Sequence, residues 1–342
     1  MRKTVALAVL IALFMLVLAA CGGSNNEKSA NSGTNSGPSA SATATAPASA
    51  ETQPASEQAS PAGERTIEYL GETYTVPANV ERIVITGAME AMEDALVLDV
   101  HPVGAITFGG KFPERFAPIT DKAESIGEKT QPNFETILKL KPDVILGSTK
   151  FPAETAEKLK KIAPTILVSH IAVNWEANLR LLGELTGKQE QAEKAIAQYK
   201  QDLEAAKGTL TEKLKGQKVL AARIRSGQVF IYPEKVFVNP ILYNDLGLEP
   251  PAEVKAAKAQ EALSVEQLAA MNPDYLFIQF ADDENKETQN ALTELLDNPI
   301  VKKINAVKND KVFVNTIDPL SEGGPAWSRI QFLKAAQEQL AK

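Results

Sequence analysis

Two arginines separated by one residue, Arg223 and Arg225, are the side chains whose type and spacing most directly suggest chemistry. They lie in an apolar run that is predicted to form a strand. Because side chains alternate between the two faces of a strand, both guanidinium groups should point the same way. Two such planar, permanently charged groups can bind a multiply charged anion. The alternative is a solvated strand edge at which each arginine pairs with a nearby acid.

An acidic residue recurs within a repeated pattern. Glu135 and Glu266 stand 131 residues apart, and each precedes a Pro-Asp dipeptide and a buried apolar run. In both copies the residue two positions earlier, Asn133 or Ser264, suits a helix N-cap, and the glutamate falls in the first turn. Ser264 and Gln267 match a capping box. Each glutamate could serve only its own helix dipole, or the two could face one pseudo-symmetric partner.

Composition excludes several classes of site. The single cysteine and the two histidines, His101 and His170, cannot build a disulfide framework, a zinc finger or a multi-histidine metal site. The net charge of −7 argues against nucleic-acid binding. No nucleophile elbow, phosphate-binding loop or dinucleotide fingerprint occurs, so no catalytic motif is present.

The N-terminal segment is predicted to be a signal for export. Residues 1–20 combine two positive charges, a 14-residue apolar run and two small residues, which is typical of a signal peptide and too short for a membrane span. The run ending in Cys21 resembles the lipobox of bacterial lipoproteins, in which the cysteine is acylated; the alternative is an incidental thiol. Residues 21–63 are predicted to be this lipidated cysteine and a disordered linker, because 22–63 contain no Val, Ile, Leu, Met or aromatic residue.

Short apolar runs alternate with helical patterns through the rest of the chain, which is typical of an α/β fold. After a hairpin at 65–76, strands are predicted at 83–85, 103–106, 144–146, 165–168, 218–224, 229–232, 275–280 and 311–314, and a closing helix at 326–340. The scheme occurs twice, which predicts two lobes, 64–188 and 216–342. The segment 189–215 is predicted to be one long connecting helix; the alternative, a coiled-coil partner, needs heptads that it lacks.

The motif around Glu135, with the lipobox and the long helix, resembles the substrate-binding lipoproteins of ABC importers for iron siderophores and cobalamin. The resemblance covers 64–342. It implies a type III periplasmic-binding-protein fold, in which two Rossmann-like lobes joined by a single rigid helix hold ligand in a cleft. It implies transport without catalysis or cofactor, and docking of Glu135 and Glu266 on the permease. We expect a lipid-anchored monomer on the extracytoplasmic face of the bacterial membrane.

Within that family the chain is most similar to the Gram-positive lipoproteins that bind the catecholate siderophores bacillibactin and enterobactin. This resemblance implies a ring of basic residues around the ligand: Lys129, Lys150, Arg223, Arg225 and Lys258. Because a ferric tris-catecholate is a trianion with aromatic rings, the arginines should orient it and the lysines complete its neutralisation, without a protein–iron bond. Ferric citrate, a hydroxamate chelate and haem stay open as ligands. A two-lobed α/β enzyme stays open as another class.

Other residues carry weaker expectations. Four further side chains are possible ligand contacts: Trp327, Lys111, Tyr232 and Phe237. His170 is expected to be a structural residue that satisfies its own hydrogen bonds. Three acids, Glu90, Glu93 and Asp94, are expected to form a solvated helix face.

Overall fold

The structure is a computed structural model that describes residues 63–341. The predicted signal peptide 1–20, Cys21 and all of the linker except its last residue lie outside the described residues. No helix between 63 and 341 combines the length and the apolar character needed to cross a bilayer.

The first half of the body holds eight strands and four helices. The strands are β1 Glu64–Tyr69, β2 Glu72–Pro77, β3 Ile83–Ile85, β4 Gly104–Thr107, β5 Glu124–Glu128, β6 Gln131–Pro132, β7 Val144–Ser148 and β8 Thr165–Val168. The helices are α1 Met89–Leu98, α2 Phe134–Lys139, α3 Ala153–Lys160 and α4 Trp175–Thr186. A hairpin of β1 and β2 precedes a sheet of order β6-β5-β4-β3-β7-β8, which is parallel except for β6.

One helix, α5 Gln189–Leu210, connects the two halves. The segment 189–215 was predicted to be helical throughout, but α5 ends at Leu210 and is about 33 Å long at 1.5 Å per residue. Gly208, Thr209 and Thr211 cluster at that point, and their low helix propensity accounts for the earlier end.

The second half begins with β9 Val219–Arg225. Its other strands and α-helices are β10 Gln228–Ile231, α6 Ala252–Ala256, β11 Glu261–Leu263, α7 Val265–Met271, β12 Tyr275–Phe280, α8 Ala291–Asp297, α9 Asn305–Lys308, β13 Val312–Val314 and α10 Ala326–Leu340, and a π-helix, Pro240–Asp245, lies between β10 and α6. The strands form one sheet of order β11-β10-β9-β12-β13, in which β9, β12 and β13 are parallel. Two α/β halves joined by one helix confirm the predicted fold class.

The repeated Pro-Asp dipeptides have the same structural task in both halves. Asp143 accepts hydrogen bonds from the backbone N–H groups of Glu81 and Arg82, just before β3, at 2.9 and 2.8 Å. Asp274 accepts one from the N–H of Lys218, just before β9, at 2.9 Å. Each aspartate therefore ties the strand that it precedes to the start of the neighbouring parallel strand.

The last helix packs on both halves of the body. α10 packs against α1, α4 and α5, and its residues Phe332, Leu333 and Ala336 are buried. The Phe332 ring also contacts that of Phe277 on β12, with the ring centroids 5.2 Å apart. The segment that leads from β13 into α10 crosses from one half of the body to the other.

Candidate functional site

A cleft of about 880 Å³ lies where residues following several strands of both sheets meet. In the first sheet, β3 and β7 are neighbours, but the chain leaves β3 towards β4 and leaves β7 towards β8. In the second sheet, β9 and β12 diverge in the same way. Such points open a crevice beyond the carboxyl ends of parallel strands, which is where α/β sheets commonly bind ligands.

All five basic residues predicted for the site line this cleft. Lys129 and Lys150 follow β5 and β7, Arg223 and Arg225 lie at the end of β9, and Lys258 follows α6. Lys235 and Lys255 also line it, so seven basic side chains face three glutamates, Glu90, Glu234 and Glu322. The lining is therefore positively charged although the whole chain is acidic.

Close packing positions Lys150. The neighbouring Phe151 places its ring against Gly87, where a Cβ atom would lie only 2.2 Å from the ring and where the backbone φ is +69°. Only glycine suits both conditions. Any larger residue at position 87 would displace the turn that carries Lys150.

One carboxylate, that of Glu322, pairs with both of the cleft lysines that belong to the first half. It is paired with the ammonium group of Lys129, and its Oε2 lies 3.7 Å from Lys150 Nζ. Glu90 Oε1 lies 3.5 Å from the same Nζ atom. Burial alone would raise the pKa of Glu322, but Lys129 and Lys150 outweigh it and lower that pKa, so the carboxylate is ionised. Burial and the adjacent Glu322 raise the pKa of Glu90.

A second carboxylate, that of Glu284, bridges the two arginines of β9. Its oxygens lie 2.9 Å from Arg223 Nε and 2.8 Å from Arg225 Nη2. Arg223 is only 3% exposed and also donates to the carbonyl oxygens of Pro319 and Ser321. Arg225 is more open, with 31% of its side chain exposed. The arginines are thus paired with an acid, as the alternative interpretation expected, but inside a cleft and not on a solvated edge.

Aromatic residues line the same cleft. Tyr232 and Phe237 both contact it, as predicted, with their rings 5.0 Å apart, and Trp175 joins them. The hydroxyl group of Tyr232 and the guanidinium group of Arg225 both donate to the side-chain oxygen of Gln260, each at 2.9 Å. These two hydrogen bonds hold the guanidinium group of Arg225 beside the ring of Tyr232.

Two predicted contacts lie elsewhere, which corrects the sequence prediction. Lys111 is exposed at the end of a tight Gly109-Gly110 turn, pairs with Phe108 in an isolated bridge and does not line the cleft. Trp327 is half-buried on α10 and does not line the cleft. The buried positions beside it belong to Ser328, which is hydrogen-bonded to Glu93, and to Arg329, which is paired with Asp245.

The three acids of α1 are buried, so the predicted solvated face is wrong. Glu93 accepts from the N–H of Glu322 at 2.9 Å and is hydrogen-bonded to Ser328, and Asp94 accepts from the N–H of Ala326 at 3.0 Å. The segment leading into α10 covers this face of α1. Burial raises the pKa of Glu93 to about 7, although Arg115 opposes the shift, and raises that of Asp94 well above its usual value.

Two residues of the site, Glu284 and Glu322, were not predicted from the sequence, and His170 was expected only as a structural residue. His170 follows β8 and lines the cleft, where its Nδ1 lies 2.8 Å from the Thr149 hydroxyl group and burial lowers its pKa. Glu284 follows β12 at the carboxyl edge of its sheet, a position that could have been recognised from the strand pattern. Glu322 lies in an irregular segment and has no periodic signal.

The repeated acids, Glu135 and Glu266, lie on the surface. Both are exposed in the first turn of α2 and α7, and neither forms an ion pair within residues 63–341. Asn133 caps α2, and Ser264 with Gln267 forms the predicted capping box. Because these caps already satisfy the helix ends, the two carboxylates remain available to a partner.

No group of three or more His, Cys, Asp or Glu side chains in the described part of the chain is placed to hold a metal ion. The charge of the cleft suits an anion.

Comparisons with known proteins give a consistent pattern. The model of the periplasmic binding protein family matches residues 103–317. The chain is 51% identical over 340 residues to the iron-uptake system-binding protein of Bacillus subtilis, covering 99% of both chains. It is 27% identical over 320 residues to a probable siderophore-binding lipoprotein, YfiY, of the same species, covering 90% of this chain and 89% of that protein.

A solved structure is similar as well. The crystal structure of the triscatecholate siderophore binding protein FeuA from Bacillus subtilis, complexed with ferri-bacillibactin, superimposes with a TM-score of 0.78 at 56% identity. The match covers 81% of this chain and 98% of that chain.

Proposed function

This chain belongs to the periplasmic binding protein family, and from that premise we propose that it captures a ferric tris-catecholate siderophore for an ABC importer. The family consists of extracytoplasmic substrate-binding proteins. The chain is therefore a binding protein, and the alternative of a two-lobed α/β enzyme is excluded. Iron is cargo here, carried within its chelate, and is not a cofactor of the protein.

The convergence of five cations on one cleft carries the proposal. Lys129, Lys150, Arg223, Arg225 and Lys258 come from both halves of the body and line one recess. A single pair of unit charges 4 Å apart is worth about 4 kcal/mol at an effective dielectric near 20. Several such pairs favour a trianion over a neutral chelate even after desolvation and mutual repulsion are subtracted.

Aromatic rings make a tris-catecholate a better candidate than ferric citrate. Arg225 lies beside Tyr232, and both can stack on a catechol ring, whereas citrate has no ring to stack. Ferri-bacillibactin, the ligand in the similar crystal structure, belongs to this class. Hydroxamate chelates and haem carry less negative charge around the metal, so they form ion pairs with fewer of the five cations.

Anchoring and delivery complete the proposal. Cys21, the cysteine of the predicted lipobox, carries the lipid anchor. Stable membrane attachment takes about two acyl chains, and an acylated lipobox cysteine supplies them. The protein works as a monomer. Glu135 and Glu266, one in each half, dock on basic residues of the permease.

A ligand panel tests the proposal. Trp175 lines the cleft, so quenching of intrinsic fluorescence should report binding of ferric tris-catecholate, ferric hydroxamate, ferric citrate and haem. We expect the tris-catecholate to bind at least about tenfold more tightly than the others, a difference of about 1.4 kcal/mol. Equal or tighter binding of a hydroxamate, citrate or haem would assign the cleft to that ligand instead.

A further inference from the structure

We propose that Glu322 is an internal competitor of the ligand: its carboxylate occupies the ammonium groups of Lys129 and Lys150 until a ligand with enough additional contacts displaces it. The inference rests on the proposed function, because it concerns how the same cleft selects among anions. It assigns a specificity-determining role to a residue that carries the ligand's own sign of charge.

The position of Glu322 meets the first requirement of a competitor. Its carboxylate lies inside the cleft lining, is only 16% exposed, and contacts both lysines. An anionic ligand cannot pair with these ammonium groups at close range while Glu322 holds them. The carboxylate and the ligand therefore compete for the same two partners.

The backbone of Glu322 is fixed, so exchange requires only its side chain to move. Its N–H group donates to Glu93 on α1. Two residues later, Gly324 packs so closely on Ala172 that a Cβ atom would lie 2.5 Å from the Ala172 Cβ atom. A side chain held on such an anchored segment acts at an effective concentration on the order of millimolar or above.

Displacement has a different consequence for small and large anions. Inorganic phosphate only replaces the Glu322 carboxylate as the partner of the two lysines, so its binding gains little free energy. Arg225 and Lys258 line the same cleft, so a larger trianion such as a ferric tris-catecholate can pair with them as well. Lys258 forms no side-chain ion pair within the described chain, so its charge is gained without breaking a contact. Only the larger anion offsets the loss of the Glu322 pairs.

Glu322→Gln tests this inference, because it keeps the shape of the side chain and its backbone hydrogen bond while removing the charge. We expect the variant to bind ferric tris-catecholate at least about tenfold more tightly in fluorescence titrations. We expect inorganic phosphate, titrated by calorimetry, to bind the variant and to compete with the chelate, but to bind the wild type at least about tenfold more weakly. Melting curves would check that the variant is folded.

Glu253→Gln is the matched control. Glu253 lies on α6 beside the cleft, does not line it and forms no ion pair among residues 63–341. The Glu253→Gln substitution removes the same charge, and we expect it to change the affinity for ferric tris-catecholate less than about threefold. Equal gains in both variants would mean a long-range field effect and would overturn the inference. Weaker chelate binding by Glu322→Gln would mean that the carboxylate positions the lysines for the ligand, which is the opposite role.

The two proposals can fail separately. If the wild type binds no ferric tris-catecholate, the proposed function is wrong, and phosphate binding still decides the role of Glu322. Phosphate that binds Glu322→Gln more tightly than the wild type supports the competitor role. Phosphate that binds both proteins alike contradicts it.

Discussion

At the scale of single residues, the two arginines of β9 share a strand face but not a role. Arg223 is buried and ties Glu284 to the carbonyl oxygens of Pro319 and Ser321. Arg225 is partly exposed towards the cleft and shares Gln260 with Tyr232. Alternation along a strand predicts the shared face, but it does not distinguish a structural arginine from one that faces a ligand.

Alanine substitutions should separate these roles. We expect Arg223→Ala to lower the free energy of unfolding by about 3 kcal/mol, because it removes the buried member of the two arginines paired with Glu284 and leaves two carbonyl oxygens without their donor. We expect Arg225→Ala to lower it by less than about 1 kcal/mol but to weaken ferric tris-catecholate binding about tenfold or more. Urea denaturation and fluorescence titration measure the two effects. Lys111→Ala, outside the cleft, is the control and should change neither. Equal stability losses for both arginines would contradict this division.

At the scale of elements, α1 shows why an acidic helix face need not be solvated. Glu93 and Asp94 alternate with Met89 and Met92, a pattern that predicts one apolar face and one polar face. The polar face is instead covered by backbone N–H groups of the segment entering α10, which lies more than 200 residues later. These donors bind both oxygens of Glu93 together with Ser328 but only one oxygen of Asp94, whose Oδ2 is buried without a hydrogen-bond partner. Burial raises the pKa values of both carboxyl groups.

The raised pKa of Glu93 predicts an unusual dependence of stability on pH. Its folded-state pKa of about 7 exceeds the usual 4.5, so the folded protein binds this proton more tightly than the unfolded chain does. The contribution of Glu93 to stability is therefore fully present below about pH 4.5 and is lost as the pH rises through 7. We expect Glu93→Gln to gain about 2 kcal/mol of stability relative to the wild type between pH 5 and pH 8.

Urea denaturation at several pH values between 5 and 8 measures this difference. Glu135→Gln removes an exposed carboxylate and should follow the wild-type curve. If the free energies of unfolding of Glu93→Gln and of the wild type change with pH in parallel, Glu93 does not titrate between pH 5 and pH 8.

At the scale of the whole molecule, each half carries an exposed acid and a share of the cleft. The internal repeat explains the acids, because Glu135 and Glu266 occupy the same position in two copies of one helix–strand unit. α5 and α10 join these halves through buried contacts. Arg329 on α10 pairs with Asp245 and donates to the carbonyl oxygen of Ala172, so one side chain links elements of both halves.

Removing both acids should uncouple delivery from capture. We expect the double variant Glu135→Ala, Glu266→Ala to lose uptake of the ferric siderophore through its permease at least about tenfold, because two charge pairs with the permease are lost. Binding of the chelate to the isolated protein should not change. Glu154→Ala, an exposed acid on α3, is the matched control in the uptake measurement. Normal uptake by the double variant would rule out docking through these residues.

Local features of this protein follow from residues that are close together in the chain. Periodicity predicted most strands, the capping box, the closing helix and the α/β class, because these depend on residues close together in the chain. The resemblance to a known family then located five of the seven basic residues that line the cleft. Lys111 and Trp327 do not line the cleft, because neither their spacing nor their residue type shows which way a surface side chain or a half-buried ring faces.

Tertiary structure alone decided which charges meet. Glu322 pairs with Lys129 across 193 positions of the chain, and Asp94 accepts from Ala326 across 232. Such pairs leave no periodic trace, because they depend on a segment that crosses between the halves before α10 begins. The balance of cations and carboxylates in the cleft, and the burial that raises the pKa values on α1, follow from that crossing.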